Sequence, residues 1–207
     1  MKNLKNLKVQ VLMLLFGFLA VSCTDDDKDK GPSPETSKQT EYNGAKYGIK
    51  KGFYQEGGPM ELIGDEESHF NQNFFLTDGN VTLKDDGTFE NAADAKILFM
   101  TGLLSPGTTG FQNGVYEYSN IIQDETNLSE AEFEAKYRNR NVMLLSFVLL
   151  DTDGDKNFEE EDAQTVTGGT LKVLGTKPNY TLEYDLTFTG GKTLKGKYSG
   201  SYQQVTD

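Results

Sequence analysis

Residues 151–162 read DTDGDKNFEEED, a run in which oxygen-bearing side chains recur at alternate positions. Ca²⁺ is a hard cation that takes six to eight oxygens at ~2.3–2.6 Å, and a twelve-residue loop can supply them from positions 1, 3, 5, 7, 9 and 12. Here those positions are Asp151, Asp153, Asp155, Asn157, Glu159 and Asp162, with Asn157 acting through its backbone carbonyl. Position 8, where an apolar side chain would anchor the loop, is Phe158. Seven carboxylates within the twelve residues repel one another unless a cation neutralises them. The spacing therefore predicts a structural Ca²⁺ site, with an affinity of ~10⁻⁴–10⁻³ M as in extracellular modules. Without an ion, the same segment is an acidic surface loop.

Two positions depart from the EF-hand pattern. Position 6 is Lys156 where Gly is usual, and a non-Gly residue in the left-handed region costs roughly 1 kcal/mol. Position 12 is Asp162 rather than Glu, which resembles the EF-hand-like loops of the cellulosomal dockerin type. A nearly continuous apolar run, residues 142–150, precedes the loop. Periodicity alone does not separate a buried strand from a buried helix in so short a run. We expect a strand, because residues 139–141 break the preceding helix and the sheet needs core strands.

The elements that must hold this loop are mostly strands. Strand-like runs are expected at residues 47–55, 70–77, 95–104, 115–118, 142–150, 169–174, 180–189 and 193–202. In the seventh, Tyr180, Leu182, Tyr184, Leu186 and Phe188 share one face, and Thr181, Glu183, Asp185 and Thr187 share the other. That alternation marks a half-buried antiparallel strand. Gly190-Gly191 follows, and glycines there tolerate the positive φ of a tight hairpin turn. One helix is expected over residues 130–138: Ser129 and Glu132 form a capping-box pair, acids come early and Lys136 and Arg138 late. Phe133 and Tyr137, four apart, can pack on the sheet. The expected fold class is all-β, an antiparallel β-sandwich or, alternatively, a calycin-like β-barrel, with one short helix.

The start of the chain carries an address. Lys2, Lys5 and Lys8 flank an apolar stretch over residues 9–21. About 13 residues is too short to cross a bilayer, which takes ~20, but it suits the core of a secretory signal. The exit Leu19-Ala20-Val21-Ser22-Cys23 resembles the bacterial lipobox, with Ala20 where Leu is commoner. That resemblance implies cleavage after Ser22 and acyl chains on Cys23, each buried methylene contributing ~0.8 kcal/mol to membrane attachment. Losing three lysines and no acid moves the net charge from −12 to −15. The mature chain would thus be repelled by an anionic lipid surface and held by its lipid alone.

Residues 23–45 read as the lipidated Cys and a disordered acidic tether, too polar to bury enough surface to order. At about 20 residues its r.m.s. reach is ~25 Å. Residues 46–207 read as a single β-rich domain. The run Asp25-Asp26-Asp27-Lys28-Asp29 after Cys23 resembles the acidic export tag of Bacteroidetes surface lipoproteins, which implies display on the outer face of the outer membrane. Residues 114–118 and the closing stretch GGTLKVLG to GKYSGSY resemble a group of secreted Bacteroidetes lipoproteins. That likeness implies a β-rich sandwich or calycin-like barrel and brings no catalytic residues with it.

Other classes find little support. A net charge of −12 excludes a basic nucleic-acid face. The chain has one Cys, one His and no Trp, and no phosphate loop, CxxC or HExxH appears. His69 follows Asp65, Glu66, Glu67 and Ser68 and is expected to be a solvated loop residue rather than a general base. Phe74, Phe75, Tyr116 and Tyr118 sit at strand spacing and are expected in the core rather than on a sugar-stacking face. No catalytic residues are assigned. The function expected is a non-catalytic binding or accessory module on the cell surface, with a glycan or an outer-membrane protein as partner. The alternatives are a small extracellular polysaccharide hydrolase and a fimbria-like structural component.

Overall fold

The computed structural model describes residues 38–80, 82–83, 89–90, 94–154, 158 and 163–205. The strands are β1 (Lys38–Tyr42), β2 (Ala45–Gly48), β3 (Lys51–Met60), β4 (His69–Thr77), β5 (Thr82–Leu83), β6 (Phe89–Glu90), β7 (Ile97–Pro106), β8 (Gly114–Tyr118), β9 (Val142–Leu150), β10 (Gln164–Thr176), β11 (Asn179–Phe188) and β12 (Thr193–Gln204). Helices α1 (Ile121–Asn127) and α2 (Glu130–Tyr137) lie between β8 and β9. Among the described residues no helix is long and apolar enough to cross a membrane.

Local sequence accounts for these elements. β11 buries Tyr180, Leu182, Tyr184, Leu186 and Phe188 and turns Asp185 and Thr187 outward, as its alternation requires. The chain then reverses through one 3₁₀ turn with Gly190 and Gly191 both at φ 75°, and the Phe188 amide donates to the Lys192 carbonyl at 2.8 Å. The capping box of α2 is formed: the Ser129 amide donates to Glu132 Oε2 at 2.9 Å, and the Glu132 amide donates to Ser129 Oγ at 3.4 Å. Helix α1 is additional to the expected one. Its start is fixed by Asn120, whose Oδ1 accepts from the Gln123 amide at 3.3 Å.

Among the described residues ten strands form one sheet in the order β11-β10-β8-β9-β7-β4-β3-β12-β1-β2, with β5 and β6 as a separate pair. The pairing of β11 with β12 joins this order back on itself, so hydrogen bonds run around a ring. Strand β12 closes the ring by using both edges. One edge pairs with β11 from Asn179↔Ser201 to Thr187↔Thr193. The other pairs with β1 from Lys38↔Tyr198 to Tyr42↔Leu194, and further on, in parallel, with β3 from Tyr202↔Gly52 to Gln204↔Tyr54. The all-β class is as expected. The sheet is mixed rather than wholly antiparallel, because β8 also runs parallel to β9. Ring closure is the feature of the barrel-like alternative.

The ring encloses an apolar interior dense in aromatic rings. Phe74, Tyr180 and Tyr202 meet edge to face, with centroids 5.1–5.7 Å apart, contacts worth ~0.5–1.5 kcal/mol each beyond area burial. Phe111, from the loop between β7 and β8, stacks on Tyr116 at 5.4 Å and covers one end of this cluster. Strands β7 and β9 are buried on both faces, which is why residues 142–150 form a continuous apolar run rather than alternating. Their inward residues join the interior cluster, whereas Leu98, Met100, Phe147 and Leu149 join an outer cluster with Phe53 and Phe75. A second outer cluster packs Phe133 and Tyr137 of α2 against Leu104 and Val142.

The stretch expected to be an unstructured tether overlaps this sheet. Strand β1 lies within it and pairs with both β12 and β2. Thr40 and Tyr42 are buried, and Tyr184 and Thr40 share a hydroxyl–hydroxyl hydrogen bond. The polar composition of KQTEY hid a strand whose ordering comes from the free edge of β12. Gly196 makes room for it: a Cβ there would lie 2.6 Å from the Gln39 carbonyl oxygen and 2.9 Å from Thr40 Cα. Gly196→Ala should therefore destabilise the fold by roughly 1–3 kcal/mol, and limited proteolysis should cut first within residues 38–48. A variant melting like the wild type would contradict the docking of β1.

Candidate functional site

The acidic segment sits in the β9–β10 connection. Strand β9 ends at Leu150, and the Asp151 amide continues the ladder by donating to the Lys96 carbonyl at 3.1 Å. Asp151 Oδ1 then accepts from the Gly154 amide at 2.8 Å, curling the chain into a side-chain-closed turn. Gly154 has φ 80°, a conformation open to glycine at no steric cost. The chain returns at Gln164, which pairs with Val148. The segment thus bridges two strands rather than two helices. Phe158 is 9% exposed and belongs to the outer cluster with Leu98, Met100, Phe147, Leu149 and Ala163. It is buried, as an anchor at position 8 must be.

Of the six expected ligands, Asp151 and Asp153 are described, and Asp155, Asn157, Glu159 and Asp162 lie outside the described residues. Asp151 caps the turn through Oδ1, and Asp153 is exposed. Among the described residues no three His, Cys, Asp or Glu side chains cluster in a metal-holding arrangement. Cys23, the expected lipidation site, also lies outside the described residues.

His69 is placed differently from expectation. It is the first residue of β4 and fully buried, not a solvated loop residue. It pairs with Met60 of β3 and Pro106 of β7, and the chain following α2 closes over it. A carbonyl can only accept, so His69 Nε2 donates to the Arg140 carbonyl at 3.3 Å, and Nδ1 accepts from the Ser68 hydroxyl at 3.1 Å. Burial lowers its pKa below the ordinary 6.5, against the raising effect of hydrogen bonds to the Arg140 and Tyr137 carbonyls. The three acids just before it in sequence misled the reading, because the strand that buries it starts one residue earlier than expected.

The described carboxylates that form ion pairs do so on the exterior. Glu183 accepts from Lys197 at 2.7 Å and Asp185 from Lys195 at 3.1 Å across the β11–β12 pair, while Glu117 meets Arg140 and Glu56 meets Lys177. Phe74 and Tyr116 are interior, Phe75 lies in the outer cluster and Tyr118 packs half-buried against the interior, so the aromatic pairs serve the core as expected. One further feature carries no signal in the residue pattern: a pocket of about 160 Å³ in the sheet wall where β8, β9 and β10 meet.

No family model matches this chain, and no curated protein or solved structure matches it either.

The buried imidazole has a measurable consequence. Its folded pKa is depressed, so the folded chain binds fewer protons than the unfolded one near neutrality and below. Stability should therefore fall as the pH drops through 6.5, by at most about 1.4 kcal/mol per pH unit, until the folded pKa is reached. His69→Gln should flatten this segment of a urea-midpoint profile without altering the separate acid transition of the carboxylates. An unchanged profile in the variant would place the titration elsewhere.

Proposed function

We propose that this chain is a lipid-anchored surface protein whose β-domain is a non-catalytic binding or accessory module, stapled by Ca²⁺ at the β9–β10 connection. Three features support the reading. The lipobox-like exit at Cys23 and the acidic run after it supply the anchor and the address. The turn closed by Asp151 on Gly154, with Phe158 buried beneath, supplies a curled, anchored start for an oxygen-ligand loop. The exterior carboxylates Glu56, Glu117, Glu183 and Asp185 face lysine and arginine partners, which suits a solvated scaffold better than a hydrolase cleft.

The observation that carries the metal reading is the burial of Phe158 within an otherwise acidic run. Burying Phe158 against β7 and β9 is favourable by itself, and it pins the middle of the run at the position where an oxygen-ligand loop needs its anchor. In the proposed site Asp151, Asp153, Asp155, Asn157, Glu159 and Asp162 supply oxygens, and the bound ion offsets their repulsion and holds β9 to β10. The role is structural: binding to the folded state alone stabilises by mass action, about 2.7 kcal/mol at about a hundred times Kd.

Two experiments test the proposal. EDTA should lower the melting temperature of the purified chain and added Ca²⁺ should restore it. Asp151→Asn keeps the acceptor for the Gly154 amide but removes the charge, so it should abolish the EDTA response while leaving the EDTA-treated melting temperature near that of the wild type. A wild-type chain indifferent to EDTA would end the metal reading. For the anchor, mass spectrometry of membrane-extracted protein should find an acylated N-terminal Cys23, and Cys23→Ser should release the chain from the membrane fraction. An unmodified thiol on a full-length chain would overturn it.

A further inference from the structure

The sheet wall has an opening that pairing alone creates. Strand β8 pairs with β9 at Glu117↔Val142 and Tyr118↔Met143, then departs toward α1. Strand β10 pairs with β9 at Gln164↔Val148 and Thr165↔Phe147, and with β8 from Thr170↔Glu117 onward. Residues 144–146 of β9 and 166–169 of β10 therefore border a gap in the wall with no strand between them. Irregularities border the gap on both sides: the β7–β9 register shifts at Leu144, and the β10–β11 register shifts between Val166 and Gly168. Such bulges leave residues unpaired and bend the strand away.

The pocket occupies this gap. Leu144, Leu145 and Ile121 line it from the outer side, and Tyr118, Ser146 and Val166 from the inner side. Ile122 stands at its edge, 45% exposed. The free edge of β9 is three residues long, ~10 Å at ~3.3 Å per residue, and is closed at each end by a paired strand. An added peptide strand has no room to extend, so the gap suits a small molecule. Its volume of about 160 Å³ is close to the ~150 Å³ of an apolar cavity that takes benzene in another protein.

Of the polar residues that line it, Ser119, Asn120, Ser146 and Thr165, only Ser146 is buried. Its hydroxyl lies 2.7 Å from that of Thr101. Two hydroxyls bring two hydrogens, and only one can lie between them. When Thr101 donates, the Ser146 hydrogen is free to meet an oxygen in the pocket. We propose that this opening is a binding site for a small monocyclic ring bearing one hydroxyl, the ring held by Leu144, Leu145 and Val166 and the hydroxyl oxygen accepting from Ser146. The inference supplies a ligand class that the binding role above leaves open, and it depends on neither the calcium nor the lipid.

The test uses the full-length chain carrying Cys23→Ser, which removes the acylation site, with phenol and toluene as probes of equal heavy-atom count. In methyl-detected NMR titrations both should shift Ile121, Leu144, Leu145 and Val166, phenol binding the tighter. Ser146→Ala should weaken phenol roughly five- to tenfold, the worth of one hydrogen bond, and leave toluene unchanged, which also reports that the pocket is intact. Should that variant not fold, the wild-type shifts and the preference for phenol still decide the matter. No shift at these methyls with either probe overturns the site. Equal weakening of both probes in Ser146→Ala, or no preference for phenol in the wild type, overturns the role of the hydroxyl.

Discussion

Everything in this fold depends on β12 having two paired edges. Its pairing with β11 on one side and with β1 and β3 on the other closes the hydrogen-bonded ring. Once closed, the sheet has an inside, where Tyr54, Phe74, Phe111, Tyr180, Tyr198 and Tyr202 meet edge to face. An open sheet of the same strands would expose one of those faces. The glycines of β12 are part of the same constraint, since a side chain at position 196 would meet the backbone of β1.

Closure also explains why the outer surface is uneven. The face of β10, β11 and β12 away from the interior is a ladder of opposite charges, with Glu183 opposite Lys197 and Asp185 opposite Lys195. The faces of β7 and β9 away from the interior are apolar and must be covered. Helix α2 covers one part through Phe133 and Tyr137, and Phe158 covers another. Strand β9 thus has neighbours on both faces and changes edge partner along its length, from β8 to β10. The two proposed sites, the acidic loop at its end and the wall opening at its middle, both follow from that position.

Much of this was legible in sequence where one physical rule dominated. The alternation of Tyr180 to Phe188 announced its strand, the Ser129–Glu132 pair its helix start, and the Gly190-Gly191 pair its turn. Strand β1 was illegible because its ordering comes from the edge of β12, far along the chain, not from its own polar residues. His69 was misread for the same reason: its local neighbours are acids, but its burial is decided by β3, β7 and the chain after α2. Helix α1 carried one signal that could have found it, the Asn120 cap, though seven residues give little periodicity to read. The wall opening left no sequence signature, since it arises from where pairings stop.

The most direct test of the account is hydrogen exchange on the acylated chain with calcium and with EDTA. The account predicts that removing calcium speeds exchange across residues 151–163 and at the adjoining ends of β9 and β10, while β11, β12 and β1 exchange as slowly as before. Identical exchange in the two conditions, or acceleration spread evenly around the ring, would contradict it.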